Sequence, residues 1–181
     1  MVVRDARRMR AAVMALVWMA FAAVGVGALV PIDVVHAASP NVSAQPLFAA
    51  SFKDFDRKQQ PLAQYKGKPM LVYFWATWCK SCKHEVPELI ALHKKYGARM
   101  TVLGISADNT DKVREFAQKN QIPYPLLLGS DDAIALSKQL GNSVGGLPFA
   151  VVVDAKGNIV QALLGETPAG KFEELVRPLL N

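Results

Sequence analysis

The chain has 181 residues, of which 51% are hydrophobic, and its 21 Lys and Arg against 15 Asp and Glu give a formal charge of +6. This length suits one domain of ordinary size. Basic residues beyond the first ten positions are spread among acidic ones, without the basic stripe or interleaved aromatics typical of nucleic-acid binding. The composition therefore argues against a nucleic-acid partner. Two cysteines are also too few for a scaffold built on disulfides.

The N-terminus carries the pattern of an export signal. Residues 1–10 are basic, and the 20 residues from Ala11 to Val30 form an uninterrupted apolar run. Because a helix of about 20 residues spans about 30 Å, this length favours an uncleaved membrane anchor. The small side chains of Val35 and Ala37 instead favour cleavage after Ala37. Both alternatives place the rest of the chain outside the cytoplasm, in the periplasm. We therefore predict three parts: an export signal or anchor (1–37), a polar linker (38–46) and a folded domain (47–181).

Cys79 and Cys82 are the only cysteines, and two residues separate them. They follow the apolar run Leu71–Trp75 and begin a helical pattern, and a Cys-x-x-Cys at such a junction is typical of a redox dithiol. Residues three apart share one face of a helix, so the two sulfur atoms can meet. Unpaired N–H groups at the helix N-terminus, together with the charge of Lys80, favour a thiolate at Cys79. We predict that Cys79 attacks a substrate disulfide and that Cys82 resolves the mixed disulfide.

The sequence does not indicate a metal or a cofactor. A closed zinc site needs four ligands, and Cys79, Cys82 and the nearby His84 supply at most three. Covalent haem attachment needs a histidine directly after the second cysteine, where this chain has Lys83. Both interpretations fail on the spacing, and we predict a site without metal.

Strand and helix patterns alternate through the folded domain. An apolar run at Leu47–Phe52 and a second short strand near Pro61 predict a leading β-hairpin. The continuous apolar run Met70–Trp75 predicts a central strand that is buried on both faces. Ser130 is predicted to cap one of the later helices. The remaining predictions are strands at 100–105, 126–128, 149–153 and 158–164, and helices at 79–96, 111–120, 131–140 and 168–180. This order indicates an α/β sheet covered on both faces.

Several ordered motifs resemble the thioredoxin superfamily. The stretch Phe74–Lys83, which holds the dithiol, is followed by Pro87, and Leu147-Pro148 stands where that superfamily has its cis-proline. More narrowly, the chain is similar to the exported TlpA/ResA-type thiol–disulfide oxidoreductases, which carry a Lys-x-Glu-x-Pro run after the dithiol; here it is Lys83, Glu85 and Pro87. The resemblance implies a thioredoxin-like fold, a central mixed sheet flanked by helices. An N-terminal β-hairpin and a helix-plus-strand insertion at about 109–128 would be added to it.

The same resemblance implies a function and assigns supporting residues. It implies an enzyme that reduces protein disulfides, a membrane electron donor, and apocytochrome c or metallochaperone-like cysteine proteins as substrates. Phe149 follows Pro148 where the cytochrome-maturation branch commonly has a glutamate, which weakens assignment to that branch. The backbone of Leu147 would hold an extended substrate segment beside Cys79. Trp78 would shield the dithiol.

One residue departs from the thioredoxin pattern. Thioredoxin has a buried aspartate six residues before its first cysteine, and this chain has Tyr73 there. Proton transfer at the dithiol must then depend on another group. The narrower family often uses an acid after the second core strand for this, and Asp108 is the nearest candidate. The alternative is that Asp108 only caps the helix that begins near Thr110.

Three other functions are weighed against the reductase. A dithiol oxidase would use the same cysteines in the reverse direction. An anchored metal chaperone or binding module would hold copper(I) or zinc with the two thiolates. A peroxidase is disfavoured, because Thr77 lies two residues before Cys79 whereas peroxiredoxins place a threonine three residues before their cysteine.

Overall fold

The computed structural model describes residues 42–180, so the predicted export signal or anchor (1–37) lies outside the described residues. Within the described range there are eight strands: β1 (Val42–Ser43), β2 (Ser51–Lys53), β3 (Gln59–Pro61), β4 (Met70–Trp75), β5 (Thr101–Ser106), β6 (Leu126–Leu128), β7 (Phe149–Val153) and β8 (Asn158–Leu164). They form a single mixed sheet in the order β1-β8-β7-β4-β5-β6-β2-β3. The pairs β4–β5 and β5–β6 are parallel, and the other pairs are antiparallel.

Helices cover both faces of this sheet. They are α1 (Gln45–Ala49), α2 (Lys80–Tyr96), α3 (Thr110–Lys119), α4 (Ser130–Gln139) and α5 (Lys171–Val176), with 3-10 turns at Leu62–Tyr65 and Arg177–Leu180. No helix within residues 42–180 is long and apolar enough to span a bilayer. The predicted thioredoxin-like architecture is therefore present, with its leading hairpin formed by β2 and β3 and its insertion formed by α3 and β6.

The sequence of the central strand β4 is apolar without alternation because both of its faces are covered. Val72 and Phe74 point into one buried cluster, whereas Tyr73 and Trp75 point into the other. Both faces of β4 are covered, so every one of its side chains is buried. The predicted central strand is confirmed.

The pairing of β4 brings three separate segments to one edge of the sheet. Phe74 pairs with Phe149 of the antiparallel β7 and with Ile105 of the parallel β5. The segment after β4, the segment before β7 and the segment after β5 therefore meet there. These segments carry the dithiol, Pro148 and Asp108, respectively.

The folded domain includes residues before the predicted boundary at residue 47. Val42 pairs with Ile159 and Ser43 with Asn158, so residues from the predicted linker form an edge strand. The run predicted as a strand from Leu47 is instead helical through Ala49, and the strand of the leading hairpin starts at Ser51. A run of six residues, five of them apolar, does not distinguish a short strand from a buried helical turn.

Two predicted helix ends need correction. Ser130 is the first residue of α4 rather than its cap, because Gly129 occupies the N-cap position and no side chain there accepts a capping hydrogen bond. The closing helix is shorter than predicted, since α5 ends at Val176 and a 3-10 turn continues the chain. Neither difference moves the dithiol edge of the sheet.

Candidate active site

Cys79 and Cys82 form a disulfide at the N-terminus of α2, with an S–S distance of 2.06 Å and Cα atoms 5.3 Å apart. Cys79 is the N-cap residue, and its Sγ accepts a hydrogen bond from the backbone N–H of Cys82 at 3.2 Å. This position stabilises a negatively charged sulfur, because the first N–H groups of a helix lack partners within it. Cys79 is 7% exposed and Cys82 is fully buried. A partner can therefore reach Cys79 first.

The two tryptophans beside the dithiol lie in opposite environments. Trp78 is 66% exposed, next to Cys79. Trp75 is 1% exposed, and its ring packs 5.3 Å from that of Phe116, which confirms its predicted place in the core. Lys80 is exposed at the start of α2. The exposed indole and ammonium groups thus border the accessible sulfur.

The Leu147–Pro148 peptide bond is cis, as the family resemblance implies. Leu147 is partly buried against the apolar cluster that contains Cys79 and Cys82. The structure therefore brings the predicted substrate-binding backbone and the dithiol to the same place. Gly165 follows β8 here, and its N–H donates to the carbonyl of Pro148 at 2.9 Å.

Asn142 supports the loop before the cis-proline, and the sequence interpretation did not select it. It is completely buried, and its side chain both donates to the carbonyl of Gly146 at 2.8 Å and accepts from the N–H of Gly146 at 3.1 Å. It also donates to the hydroxyl of Ser137 at 3.0 Å. One amide side chain thereby fixes the backbone directly before Leu147.

Asp108 holds the segment that leads into the dithiol. Its carboxylate accepts hydrogen bonds from the hydroxyl of Thr77 and from the backbone N–H of Thr77, the latter at 3.1 Å. The cap of α3 is Asn109, whose side chain accepts from the N–H of Asp111 at 2.9 Å, so the capping alternative for Asp108 is wrong. Partial burial raises the pKa of Asp108, but the hydrogen bonds from Thr77 and Asn109 outweigh it and leave the pKa lowered. An ionised carboxylate at neutral pH positions Thr77 here.

Glu85 is a buried acid at the site whose role the sequence interpretation missed. It is 4% exposed, although it lies on the first turns of α2. One carboxyl oxygen is hydrogen-bonded to the hydroxyl of Tyr73, and the other accepts from the N–H of Thr167 at 2.5 Å. The Tyr73 hydroxyl also lies 3.2 Å from the carbonyl oxygen of Cys82. Glu85 is thus linked through one phenol to the backbone of the buried cysteine.

The phenol of Tyr73 has one proton to donate and faces two acceptors, the Cys82 carbonyl and the Glu85 carboxyl group. Burial is the main cause that raises the pKa of Glu85, and the hydrogen bonds from Tyr73 and Thr167 oppose that rise. The net direction is upward, so Glu85 binds a proton more readily than an exposed glutamate does.

Metal ligands do not cluster in the part of the chain that the structure describes. Within residues 42–180, no group of three or more His, Cys, Asp or Glu side chains is arranged to hold a metal ion. The geometry around the dithiol is that of a hydrogen-bonded redox pair. It combines an accessible sulfur, a buried sulfur and a buried acid.

Comparisons with known proteins place this site in a family. Residues 38–162 match the model of the AhpC/TSA family. The chain is 30% identical over 128 residues to the thiol-disulfide oxidoreductase ResA of Bacillus thuringiensis subsp. konkukian, covering 70% of this chain and 72% of that protein. It is also 30% identical over 128 residues to the thioredoxin-like protein YneN of Bacillus subtilis, covering 68% and 72%.

A solved structure extends the likeness to the fold. The thiol:disulfide interchange protein of the thioredoxin family from Chlorobium tepidum TLS superimposes with a TM-score of 0.69 at 25% identity, covering 79% of this chain and 99% of that one. The fold and the site define a thioredoxin-like protein with a redox dithiol. The chain belongs to the AhpC/TSA family, and it is a thioredoxin-like thiol–disulfide oxidoreductase. The predicted resemblance to ResA-type enzymes is confirmed.

Proposed function

We propose that this oxidoreductase reduces protein disulfides outside the cytoplasm, with Cys79 as the attacking residue and Cys82 as the resolving residue. The observation that carries the assignment is the unequal environment of the two sulfurs. Cys79 is partly exposed at the N-cap of α2 and accepts a hydrogen bond, whereas Cys82 is fully buried. Attack by the accessible sulfur and release by the buried one follow from that asymmetry.

The reaction transfers two electrons from the dithiol to the substrate. The Cys79 thiolate attacks one sulfur of a substrate disulfide, a Cys79–substrate bond forms, and the other substrate sulfur leaves as a thiolate that takes a proton. Cys82 then loses its proton and attacks the Cys79 sulfur. The second substrate sulfur leaves and is protonated, and the product is the Cys79–Cys82 disulfide seen in the structure.

Glu85 is the acceptor that we assign to the Cys82 proton. The carboxyl group is buried and is linked through the Tyr73 hydroxyl to the backbone carbonyl of Cys82, and burial raises its pKa. Ionised Glu85 in the dithiol form would take the proton as Cys82 attacks, which leaves the protonated carboxyl group of the disulfide form. Tyr73 positions the acid and does not itself supply the charge that the buried aspartate of thioredoxin provides.

Leu147 and Trp78 form the surface that receives the substrate. The backbone of Leu147, next to the cis bond to Pro148, would pair with an extended segment on one side of the substrate cysteine. The exposed ring of Trp78 would cover the apolar part of that segment. Lys80, exposed on the first turn of α2, adds positive charge that favours the Cys79 thiolate.

The proposed location of the enzyme in the periplasm rests on the basic and apolar pattern of residues 1–30. The same pattern allows either an anchored or a cleaved form. Such a compartment is oxidising, so a reductase there needs electrons that a membrane protein carries across. Substrates would be proteins with paired cysteines, among them apocytochrome c, which would place the enzyme in cytochrome c maturation. No cofactor is needed for these steps.

Insulin disulfide reduction, with dithiothreitol as electron source, tests the assignment. Wild type should turn over, and Cys79→Ser should abolish turnover; retained turnover by Cys79→Ser would contradict the assignment. The reduction potential of the dithiol distinguishes a reductase, at about −270 mV, from a dithiol oxidase, at about −120 mV. Copper(I) or zinc retained stoichiometrically after dialysis, without insulin reduction, would instead indicate the metal-binding module.

A further inference from the structure

A three-residue loop, Gly165–Thr167, joins the cis-proline loop to the first turns of α2. The N–H of Gly165 donates to the carbonyl of Pro148 at 2.9 Å. The N–H of Thr167 donates to the buried carboxyl group of Glu85 at 2.5 Å. This loop, which we call the clasp loop, therefore touches both the proposed substrate-binding backbone and the proposed proton acceptor.

Between these two contacts lies Glu166, which pairs with His84 at the surface. Nδ1 of His84 is 3.2 Å from Oε1 of Glu166, and the two side chains are 54% and 53% exposed. His84 and Glu85 are consecutive on α2, and Glu166 and Thr167 are consecutive in the clasp loop. The exposed pair and the buried contact therefore join the same two segments side by side. An exposed pair of this kind contributes little to stability. Its charges can still act on Glu85, the buried acid next to His84 in sequence.

We propose that His84 and Glu166 are positioning residues that set the proton affinity of Glu85 and thereby the pH dependence of attack by Cys82. The proposal rests on the proposed function, in which Glu85 accepts the Cys82 proton. The pair is an ion pair only while His84 carries a proton. The charges of the surface pair thus act on a buried acid.

The charges around Glu85 set the sign of this effect. Burial is the main cause that raises the pKa of Glu85, and the negative charge of Glu166 raises it further. Burial is the main cause that raises the pKa of Tyr73, and the negative charge of Glu166 also raises it. A proton on His84 opposes the charge of Glu166. On α2, Lys80 and Glu88 lie four positions from His84 and Lys83 lies beside it. From β4, the titratable group that contacts Glu85 is Tyr73.

The two single variants are therefore expected to act in opposite directions. Glu166→Gln removes the negative charge, so the pKa of Glu85 falls and Cys82 becomes reactive at lower pH. His84→Gln removes the group whose proton opposes the charge of Glu166, so the pKa of Glu85 rises. Because both side chains of the surface pair are about half exposed, we expect shifts of only roughly 0.3–0.5 pH unit in the midpoint. Simple loosening of the clasp loop would not produce shifts of opposite sign.

The test follows a single turnover of the reduced protein with the chromogenic disulfide dithiobis-nitrobenzoate. Its first thionitrobenzoate reports attack by Cys79, and its second reports attack by Cys82. The rate of the second release is measured from about pH 5 to 8 for wild type, Glu166→Gln and His84→Gln. Glu173→Gln is the matched control, because the Lys95–Glu173 pair at 2.7 Å joins the far end of α2 to α5.

The outcomes separate this inference from the function on which it rests. Opposite displacements of the midpoint in the two variants, with Glu173→Gln at the wild-type position, are the expected result. Unchanged midpoints, or displacements of the same sign, overturn the inference while leaving the dithiol chemistry intact. Absence of a second release from wild type at every pH overturns the proposed function itself. A cooperative unfolding transition for each variant, measured by denaturant, shows that each one folds.

Discussion

Asp108 and Thr77 are 31 residues apart in sequence, yet one carboxylate oxygen of Asp108 accepts hydrogen bonds from both the backbone N–H and the hydroxyl of Thr77. Thr77 lies two residues before Cys79, and Asp108 follows β5. The Asp108 N–H also donates to the hydroxyl of the buried Ser106 at 3.2 Å, which anchors the carboxylate to the sheet. The contact therefore fixes the entry to the dithiol from a rigid strand.

A double-mutant cycle measures this contact. Thr77→Val and Asp108→Asn each remove part of the same interaction, so their effects on the free energy of unfolding should not add. We expect a coupling energy of about 1 kcal/mol, below that of a fully buried charged hydrogen bond because the carboxylate is partly exposed to solvent. Denaturant unfolding of the two single variants and the double variant gives the value. Strict additivity would show that the two side chains do not depend on each other.

The two tryptophans should separate stability from activity. Trp78 is 66% exposed, so Trp78→Ala should change the free energy of unfolding by no more than about 0.5 kcal/mol. It should slow insulin reduction about tenfold, because an exposed aromatic anchor beside Cys79 is lost. Trp75 is 1% exposed, and Trp75→Ala should cost about 3–5 kcal/mol of stability. Equal stability losses in the two variants would refute the different environments described above.

Glu85→Gln should stabilise the disulfide form at neutral pH. Burial raises the pKa of folded Glu85 above its unfolded value, so the unfolded chain loses this proton at lower pH than the folded protein does. Wild type therefore loses stability as pH rises from about 4.3 through the folded pKa, and glutamine avoids that loss. The advantage should be small near pH 4 and grow by about 1.4 kcal/mol for every pH unit between the two pKa values.

Glu173→Gln provides a comparison of opposite sign. The hydrogen bond from Lys95 is the main cause that lowers the pKa of Glu173, so wild type gains stability above the unfolded pKa and loses it as pH falls. This variant should be less stable than wild type at neutral pH, with a deficit that shrinks in acid. Urea unfolding of both variants at several pH values measures the two trends. A pH-independent difference for Glu85→Gln would show that its carboxyl group has equal pKa values in the two states.

Gly104 on β5 has no room for a side chain. A Cβ placed there would lie 2.5 Å from Cδ2 of Leu126 and 3.2 Å from Nε1 of Trp75. Gly104→Ala should therefore cost about 1–3 kcal/mol through overpacking. Combining it with Leu126→Ala should cost less than the sum of the two single changes, because the smaller residue removes the collision. A double variant as unstable as that sum would place the collision elsewhere.

The local sequence determines the part of the site that lies on β4 and α2. A continuous apolar run before Cys79 and a helical pattern after Cys82 are enough to place the dithiol at a strand-to-helix junction, and the structure agrees. The cis bond at Pro148 was reachable only through family resemblance, since an isolated X–Pro bond is ordinarily trans.

The missed features depend on contacts between distant residues. In the helical pattern of the sequence, Glu85 has the features of an exposed residue. It is buried because it contacts Tyr73, 12 positions away, and Thr167, 82 positions away. Val42 reads as linker because its partner, Ile159, lies on the last strand. Hydrophobic periodicity describes one segment at a time and carries no information about such partners. Asp108, the acid after β5, could be selected as a candidate from the sequence. Its hydrogen bonds with Thr77 could not be predicted.

The order of attack by the two cysteines is the central claim, and trapping tests it most directly. Reduced Cys82→Ala, mixed with a disulfide-bonded substrate protein, should accumulate a stable mixed disulfide through Cys79, because no resolving thiol remains. Reduced Cys79→Ala should trap little, since Cys82 is fully buried. Mass spectrometry of the non-reduced complexes identifies the linked cysteine. Accumulation of the Cys82-linked complex, with none through Cys79, would contradict the account.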